Sequence, residues 1–356
     1  MDESLSEHIR FTAEKGLSRG EIQKILLAAG WPETLVQGYI EKTFKTLSKG
    51  TILQVHSIAK AFEQNKVLEQ VDFEIKNGEI FGIIGMSGAG KTTLLNLLVG
   101  FLKPDVGDIL IAINGEQVSV LKNSDVVKSQ IGFSTQSPSF YQKLTVRENL
   151  GHFARLYHLS ESDVVRRCNA LIDLVGLTGA RDVIAAQLSG GMQKRLDIAC
   201  ALIHDPPILI LDEPTADLDP ILRRQLWDLI KQINAKGTTI LLASHFLAEI
   251  ELLCNQIAIL QHGRIVEMGT AEELRNIYSR NYEVFLQTKS KEYGALLQKG
   301  KKYIAKYSEE DGELVVQTLS PEQMLADISS LPRHELVSVH VSRPTLGRVF
   351  EAVVKR

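Results

Sequence analysis

The segment Gly85–Thr92 reads GMSGAGKT and fits the phosphate-loop pattern G-x-x-x-x-G-K-[ST]. It follows the apolar run EIFGII at 79–84 and opens a leucine-rich stretch that predicts a helix. Glycines allow backbone N–H groups to curl around a phosphate, and a helix N-terminus adds the positive end of its dipole. Lys91 would reach the β- and γ-phosphates, and Thr92 would ligate Mg²⁺. The predicted phosphate-binding residues are Gly85, Ser87, Gly88, Ala89, Gly90, Lys91, Thr92 and Thr93.

Two adjacent acids, Asp212 and Glu213, end the apolar run ILIL at 208–211. If this run is a buried strand, both carboxylates lie at the carboxyl edge of a parallel sheet, beside the phosphate loop. Asp212 would then hold Mg²⁺ through its water shell, and Glu213 would polarise an attacking water. An acidic pair after a strand could equally begin a solvated loop. The phosphate loop favours the first interpretation and predicts a nucleotide-hydrolysing site.

A third segment, LSGGMQ at 188–193, combines a serine with two glycines shortly before the acid-tipped run. Ser189, Gly190 and Gly191 would place another helix N-terminus where an anion can bind. The same residues are also those of an ordinary turn and helix cap. This segment therefore predicts the start of a helix, with an anion site as its functional interpretation.

The elements that position these residues follow a βα pattern. After residue 78, apolar strands at 79–84, 208–211 and 238–243 alternate with helical stretches, which indicates a parallel sheet covered by helices. Residues 1–49 predict a small module of three short helices, either a docking module or an extension packed on the next domain. Residues 281–356 predict an α+β appendage without a chemical motif. The central domain would span residues 50–280.

The composition restricts the function classes. A net charge of −3 gives no overall basic field, so no nucleic-acid partner is expected. The three cysteines, Cys168, Cys200 and Cys254, lack metal-ligand spacing and are expected to be reduced thiols. No apolar run approaches the roughly 20 residues that a membrane-crossing helix needs. The N-terminus MDESLSEHIR is acidic, unlike a secretory signal. We expect a cytoplasmic chain that reaches a membrane only through a partner.

The segment LSGGMQ also resembles the signature sequence of ABC ATPases. In that family the signature faces the γ-phosphate of ATP bound by a second subunit, so the resemblance implies a head-to-tail dimer. Met192 replaces a common glutamine, and methionine there resembles the drug- and polymer-exporter branch. The implied ligands are ATP and Mg²⁺.

Further positions match family elements in the expected order. Gln136 matches the Q-loop glutamine that senses Mg²⁺ and links to the membrane subunit. Asp217, in ADLD at 216–219, matches the D-loop, which acts across the dimer. His245 matches the switch histidine at the γ-phosphate, and Phe62 matches an aromatic residue that stacks on adenine. The resemblance thus implies a catalytic set of Glu213, His245 and Gln136, and metal contacts from Thr92, Gln136 and Asp212.

The resemblance covers about residues 51–280 and implies an α/β fold. Its parts would be a P-loop NTPase core sheet, an antiparallel β-subdomain and a helical subdomain around 137–200. The N-terminal module and the C-terminal appendage are additions to it. Because the chain has one set of motifs, it would supply half of each of two ATP sites. The second ATP-binding subunit could be an identical copy.

Two further segments resemble type-2 ABC exporters. These are YQKLTVRENL at 141–150 and the tail RPTLGRVF at 343–350, in which Gly347 and Arg348 stand where acidic residues are common. The resemblance implies a separate transmembrane permease, with this chain peripheral on the inner face of the cell membrane.

Other ABC classes fit less well. A DNA-maintenance ATPase would need a long coiled-coil insertion between the phosphate loop and the signature, for which residues 93–187 leave no space. A translation factor would carry two cassettes and a charged linker. An importer ATPase remains the alternative within transport.

Overall fold

The computed structural model describes residues 19–32, 35–37, 39, 50–113, 116–278, 281–310, 312–330, 335–343 and 345–354. The chain divides into two compact units, residues 1–268 and 269–356. The described elements of the first unit are, in chain order, α1 (Arg19–Ala28), β1 (Thr51–Phe62), β2 (Asn65–Lys76), β3 (Ile80–Ile84), α2 (Lys91–Leu98), β4 (Val106–Ile113), β5 (Glu116–Ser119), α3 (Ser124–Lys128), β6 (Ile131–Ser134), α4 (Val146–Leu156), α5 (Glu161–Leu174), α6 (Gly190–Ala201), β7 (Ile208–Asp212), α7 (Pro220–Ala235), β8 (Thr239–Ser244), α8 (Leu247–Leu253), β9 (Gln256–Gln261) and β10 (Arg264–Gly269).

Six of the described strands form the central sheet of the first unit, in the order β10-β9-β3-β8-β7-β6. The pairs β3–β8, β3–β9, β7–β8 and β6–β7 are parallel. Strands β3, β7 and β8 are buried along their whole length, which explains why their sequences are apolar without alternation. Their carboxyl ends meet at one edge of the sheet and gather the loops that follow them. This arrangement confirms the predicted α/β core.

A second sheet in this unit has the order β2-β1-β4-β5 and pairs antiparallel. Its apolar side chains join those of α2 and of the central sheet in a single core cluster. This sheet is the predicted antiparallel β-subdomain, and it places the start of β2 beside the phosphate loop, where Val67 and Leu68 approach Gly90.

The helical subdomain begins with a well-capped helix. Thr145 Oγ1 accepts a hydrogen bond from Glu148 N at 3.2 Å, and Thr145 N donates to Glu148 Oε2 at 2.8 Å. Asn149 is fully buried and closes the preceding turn, since its Nδ2 donates to Tyr141 O at 3.0 Å and to Leu144 O at 3.2 Å. Within the 141–150 segment, Thr145 and Glu148 therefore cap the helix, and Asn149 stabilises the turn that precedes it.

Most of the predicted N-terminal module lies outside the described residues, including its whole first helix. The predicted second helix is present as α1, which buries Ile22 and Leu26. Lys24 Nζ lies 3.4 Å from Asp163 Oδ1 of α5. The α1 helix therefore contacts the helical subdomain.

The second unit contains α9 (Ala271–Tyr278), β11 (Tyr282–Thr288), α10 (Gly294–Gly300), β12 (Ile304–Glu310), β13 (Glu313–Thr318), α11 (Pro321–Ser329), β14 (Leu336–Ser342) and α12 (Leu346–Val354). Its described strands form an antiparallel sheet in the order β12-β13-β11-β14. The unit starts at residue 269, earlier than the predicted 281, because α9 packs with α12.

In the C-terminal segment, Arg348 stands where an acidic residue is common in type-2 exporters, and its side chain contacts an acid. Arg348 Nη1 lies 3.1 Å from Glu283 Oε1, and only 2% of the Glu283 side chain is exposed. A buried carboxylate needs a cation or hydrogen-bond donors, so the basic residue at 348 matches the acid on β11. Arg348 thus supplies the cation that the buried Glu283 carboxylate requires.

Within the described residues, none of the helices combines the length and the apolar character required to cross a bilayer.

Candidate functional site

The phosphate loop joins β3 to α2, and two of its glycines have backbone angles that other residues rarely adopt. Gly88 has φ 81° and Gly90 has φ 102°. A Cβ atom on Gly90 would also lie 2.8 Å from Leu68 Cδ2 and 3.0 Å from Val67 O. A side chain at this position would force the loop away from β2, so the glycine is required for the loop to close over the start of α2.

Lys91 is buried at the base of the loop. Its Nζ donates to Gly85 O at 2.8 Å and lies 3.5 Å from Glu213 Oε1. A buried ammonium group requires such partners. The loop therefore holds the lysine charge in place with a backbone carbonyl and a carboxylate, both of which phosphate oxygens could replace.

Asp212 and Thr92 form the part of the site that suits a divalent cation. Thr92 Oγ1 donates to Asp212 Oδ2 at 3.1 Å, and Asp212 is 2% exposed. Among the described residues, the other oxygen, Oδ1, is buried and has no hydrogen-bond partner. Burial raises the pKa of the Asp212 carboxyl. Mg²⁺ prefers oxygen ligands and usually keeps several waters, so a buried carboxylate with one free oxygen fits it.

Glu213 is held between two basic groups. His245 Nδ1 lies 2.7 Å from Glu213 Oε2, the oxygen that also accepts from His245 N at 3.3 Å. Lys91 approaches the other oxygen. Glu213 has φ 47°, the left-handed region, and its N–H donates to Ala243 O of β8 at 2.9 Å. Such strain at a non-glycine residue is typical of functional sites, and Glu213 is one of the residues that line the cleft.

Gln136 is exposed and lines the cleft, in a loop that is fastened on both sides to α6. Asp197 of α6 is 1% exposed and accepts from Ser134 Oγ at 2.5 Å and from Ser139 N at 2.8 Å. Lys194 Nζ donates to Thr135 O at 2.7 Å. The helix that begins at the signature thus holds the segment that carries Gln136.

Replacing Asp197 by alanine is expected to lower the free energy of unfolding by about 2–4 kcal/mol, because several buried donors lose their acceptor. The measurement is urea unfolding followed by tryptophan fluorescence. Asp125→Ala is the matched control, since 96% of that carboxylate side chain is exposed, and we expect a change within about 0.5 kcal/mol. A loss as small as that of the control would contradict the role of Asp197 as a fastening point.

The cleft at the carboxyl edge of the sheet has a volume of about 630 Å³, within the usual range for a small-molecule site. It is lined by Val67, Met86, Ser87, Gly88, Gly90, Lys91, Thr92, Thr93, Gln136, Glu213 and His245. The structure therefore brings together most of the residues that the sequence predicted for phosphate and metal binding. Gly85 and Ala89 support the loop from behind, because Gly85 O accepts from Lys91 and Ala89 packs against the core.

Phe62 is not among the residues that line this cleft. It ends β1 with 45% of its surface exposed, and Lys60 Nζ lies 5.6 Å from its ring centroid. Val67, on the next strand, contributes to the lining instead. Adenine stacking on Phe62 stays a prediction.

The signature and the D-loop also lie away from the lining of their own chain's cleft. Ser189 is the exposed N-cap of α6, and its Oγ accepts from Met192 N at 3.4 Å. Gly190 is exposed, and no atom outside its own helix backbone and chain neighbours lies within 4 Å of a Cβ built on it. Asp217 is exposed, with φ 61°. Both segments are accessible to another molecule.

Comparisons with known proteins give consistent results. The family model described as ABC transporter matches residues 68–216. The Nod factor export ATP-binding protein I of Sinorhizobium fredii is 39% identical over 222 residues, which cover 62% of this chain and 64% of that protein. The linearmycin resistance ATP-binding protein LnrL of Bacillus subtilis is 35% identical over 224 residues, covering 63% of this chain and 70% of that protein.

A solved ATP-binding cassette, a dimer in a post-hydrolysis state bound to ADP and Pi, superposes with a TM-score of 0.56 and 26% identity. The match covers 62% of this chain and 98% of that cassette.

Proposed function

Because this chain belongs to the ABC transporter family of ATP-binding proteins, we propose that it hydrolyses ATP as one half of a head-to-tail dimer and drives export through a separate membrane subunit. The observation that carries the proposal is the division of the site. Lys91, Glu213 and His245 meet in one cleft, whereas Ser189 lies outside the lining of that cleft, exposed at the N-terminus of α6. A second chain, identical or related, would bring its signature to this cleft.

The chain's own residues would act by positioning and charge neutralisation. Lys91 would exchange Gly85 O for phosphate oxygens. Glu213, released from Lys91, would orient and polarise the attacking water, while His245 would contact the γ-phosphate. When bound, Mg²⁺ neutralises charge on the phosphate oxygens, and Thr92, Asp212 and Gln136 are the residues that would hold it.

The direction of transport is proposed from two features. The 141–150 segment resembles type-2 exporters, and the names of the two relatives reported above refer to Nod factor export and to linearmycin resistance. The chain would then bind at the inner face of the cell membrane to a permease that selects the exported molecule. The helical subdomain, with Gln136 at its edge, is the part that would move with that permease when the dimer closes.

The test is a pull-down of tagged Glu213→Gln chain, with ATP and Mg²⁺, from detergent-solubilised membranes of its host. We expect a multi-helix membrane protein to be recovered in an ATP-dependent manner. The Lys91→Ala chain serves as the control that cannot hold nucleotide. Recovery of ribosomal or DNA-bound proteins, without a membrane protein, would overturn the export proposal and leave an ATPase of another class.

A further inference from the structure

The helix that follows the D-loop contacts the switch histidine's neighbours on both sides. Helix α7 begins directly after Asp219, whose Oδ1 accepts from Ile221 N at 2.9 Å and from Leu222 N at 3.0 Å. Arg223 and Trp227 are four residues apart on this helix and therefore lie on one face. These two side chains reach the residues on either side of His245, Arg223 directly and Trp227 through Glu249.

Arg223 lies over the residue after the switch histidine. Its guanidinium carbon is 4.1 Å from the centroid of the Phe246 ring, within the range of a cation–π contact. The rings of Phe246 and His245 are in turn 4.1 Å apart. Among the described residues, Arg223 Nε is buried without a hydrogen-bond partner. The contact with the Phe246 ring therefore stabilises this part of the guanidinium group. Arg223 Nη2 also donates to Leu218 O, in the D-loop, at 3.2 Å.

Trp227 supports the residue before the switch histidine. Its Nε1 donates to Glu249 Oε1 at 3.0 Å, and Ser244 Oγ donates to Glu249 Oε2 at 2.6 Å. Glu249 is fully buried, so these bonds are protected from water. One face of α7 therefore holds Phe246 directly and Ser244 through Glu249.

His245 itself has few constraints of its own. Its side chain is 52% exposed, and its ring reaches Glu213 through one contact of 2.7 Å. A ring so exposed depends on its backbone and on the adjacent Phe246 for its orientation. A small displacement of α7 would therefore change the distance between His245 and Glu213.

We propose that Arg223 and Trp227 are positioning residues for His245, through which the D-loop sets the contact between His245 and Glu213. The proposal rests on the proposed function, in which Asp217 meets the second chain. Approach of that chain to the D-loop would shift Leu218 and α7 together, and the switch histidine would follow. Hydrolysis would then depend on whether the partner is correctly docked.

The first experiment compares Arg223→Gln with Arg224→Gln, an exposed neighbour that loses the same charge. We expect Arg223→Gln to lower kcat about tenfold with KM for ATP within about twofold, and Arg224→Gln to leave both unchanged. Arg223→Lys keeps a cation over Phe246 and should retain kcat within about threefold of the original chain. Equal kcat values for Arg223→Gln and Arg224→Gln would overturn the proposal.

A second measurement separates positioning from ATP turnover and from folding. In ¹⁵N-histidine NMR spectra, assigned by comparison with His245→Ala, the ring signals of His245 should shift in Arg223→Gln and Trp227→Phe but not in Arg224→Gln. This readout needs no hydrolysis, so it tests the contact even if the proposed function fails. Unshifted His245 signals in Arg223→Gln would overturn the inference, whatever the effect on kcat.

A double-mutant cycle tests the link to the D-loop. If Arg223 transmits the position of Asp217, the Asp217→Ala, Arg223→Gln double variant should lose little more kcat than the more impaired single variant. A purely structural role for Arg223 predicts losses that multiply, and that result would contradict the proposed transmission.

Discussion

A Glu213→Gln variant is expected to bind ATP normally and to lose at least about 100-fold in kcat, the scale of general-base catalysis. The amide keeps the size of the carboxylate but cannot take a proton from water. Because turnover stops after binding, the ATP-bound dimer should accumulate. The measurements are steady-state hydrolysis at saturating ATP and size-exclusion chromatography with and without the nucleotide.

The geometry suggests why the ATP-bound dimer should survive this change. Glu213 is 8% exposed and lies between Lys91 and His245. In the variant, one charge of this cluster disappears, so Lys91 is freer to contact phosphate oxygens. Glu116→Gln is the matched control, since this exposed acid lies on β5 of the antiparallel sheet. A Glu213→Gln chain with the turnover of that control would remove Glu213 from the catalytic role.

The parts of the site that could be predicted from the sequence are those whose residues are adjacent along the chain. The phosphate loop carries its own glycines and lysine, and its flanking strand and helix are visible as apolar runs. Asp212 and Glu213 follow a buried strand directly, so the rule for parallel sheets places them at the loop. The family resemblance, confirmed by the match to the family model, depended on the same local motifs.

The residues that sequence reasoning missed act through distant contacts. Asp197 and Lys194 fasten the Gln136 segment from a helix about 60 residues away, as the separations of 58 to 63 positions show. A charged residue within the otherwise apolar LDIACAL run was the available signal for Asp197. Arg223 offered no such signal, because a charged residue on a surface helix is ordinary. Only packing reveals that it covers Phe246.

Phe62 is a residue whose predicted role depends on a family match alone, and adenine stacking on its ring stays a prediction. It stands where ABC ATPases carry an aromatic residue that stacks on adenine. The structure shows an exposed ring at that end, while Val67 lines the cleft. Side-chain direction near a hairpin depends on strand register, and the β1–β2 pairing contains several register shifts before Phe62, so the direction of this ring could not be predicted from the sequence.

Lys91→Ala is expected to weaken ATP binding about 100-fold, because charge-assisted hydrogen bonds to phosphate contribute about 1.5–3 kcal/mol each. The loss should depend on the phosphates present. Since Lys91 would reach the β- and γ-phosphates, the affinity for ATP should fall most, that for ADP less, and that for AMP hardly at all. Isothermal titration calorimetry with the three nucleotides measures this series directly.

Lys91→Ala should also change the stability of the phosphate loop without nucleotide, and this effect must be measured separately from binding. Lys91 also lies 3.5 Å from Glu213 Oε1 and donates to Gly85 O, so its removal leaves a nearly buried carboxylate with one cation fewer. Without nucleotide, the phosphate loop of the variant should therefore be less stable. Thermal unfolding of the unliganded variant would detect this loss of stability. Lys103→Ala, at an exposed lysine outside the cleft lining, is the control for charge alone. If Lys91→Ala weakened AMP and ATP binding equally, the loss would come from this loop instability, and the assignment of Lys91 to the β- and γ-phosphates would be wrong.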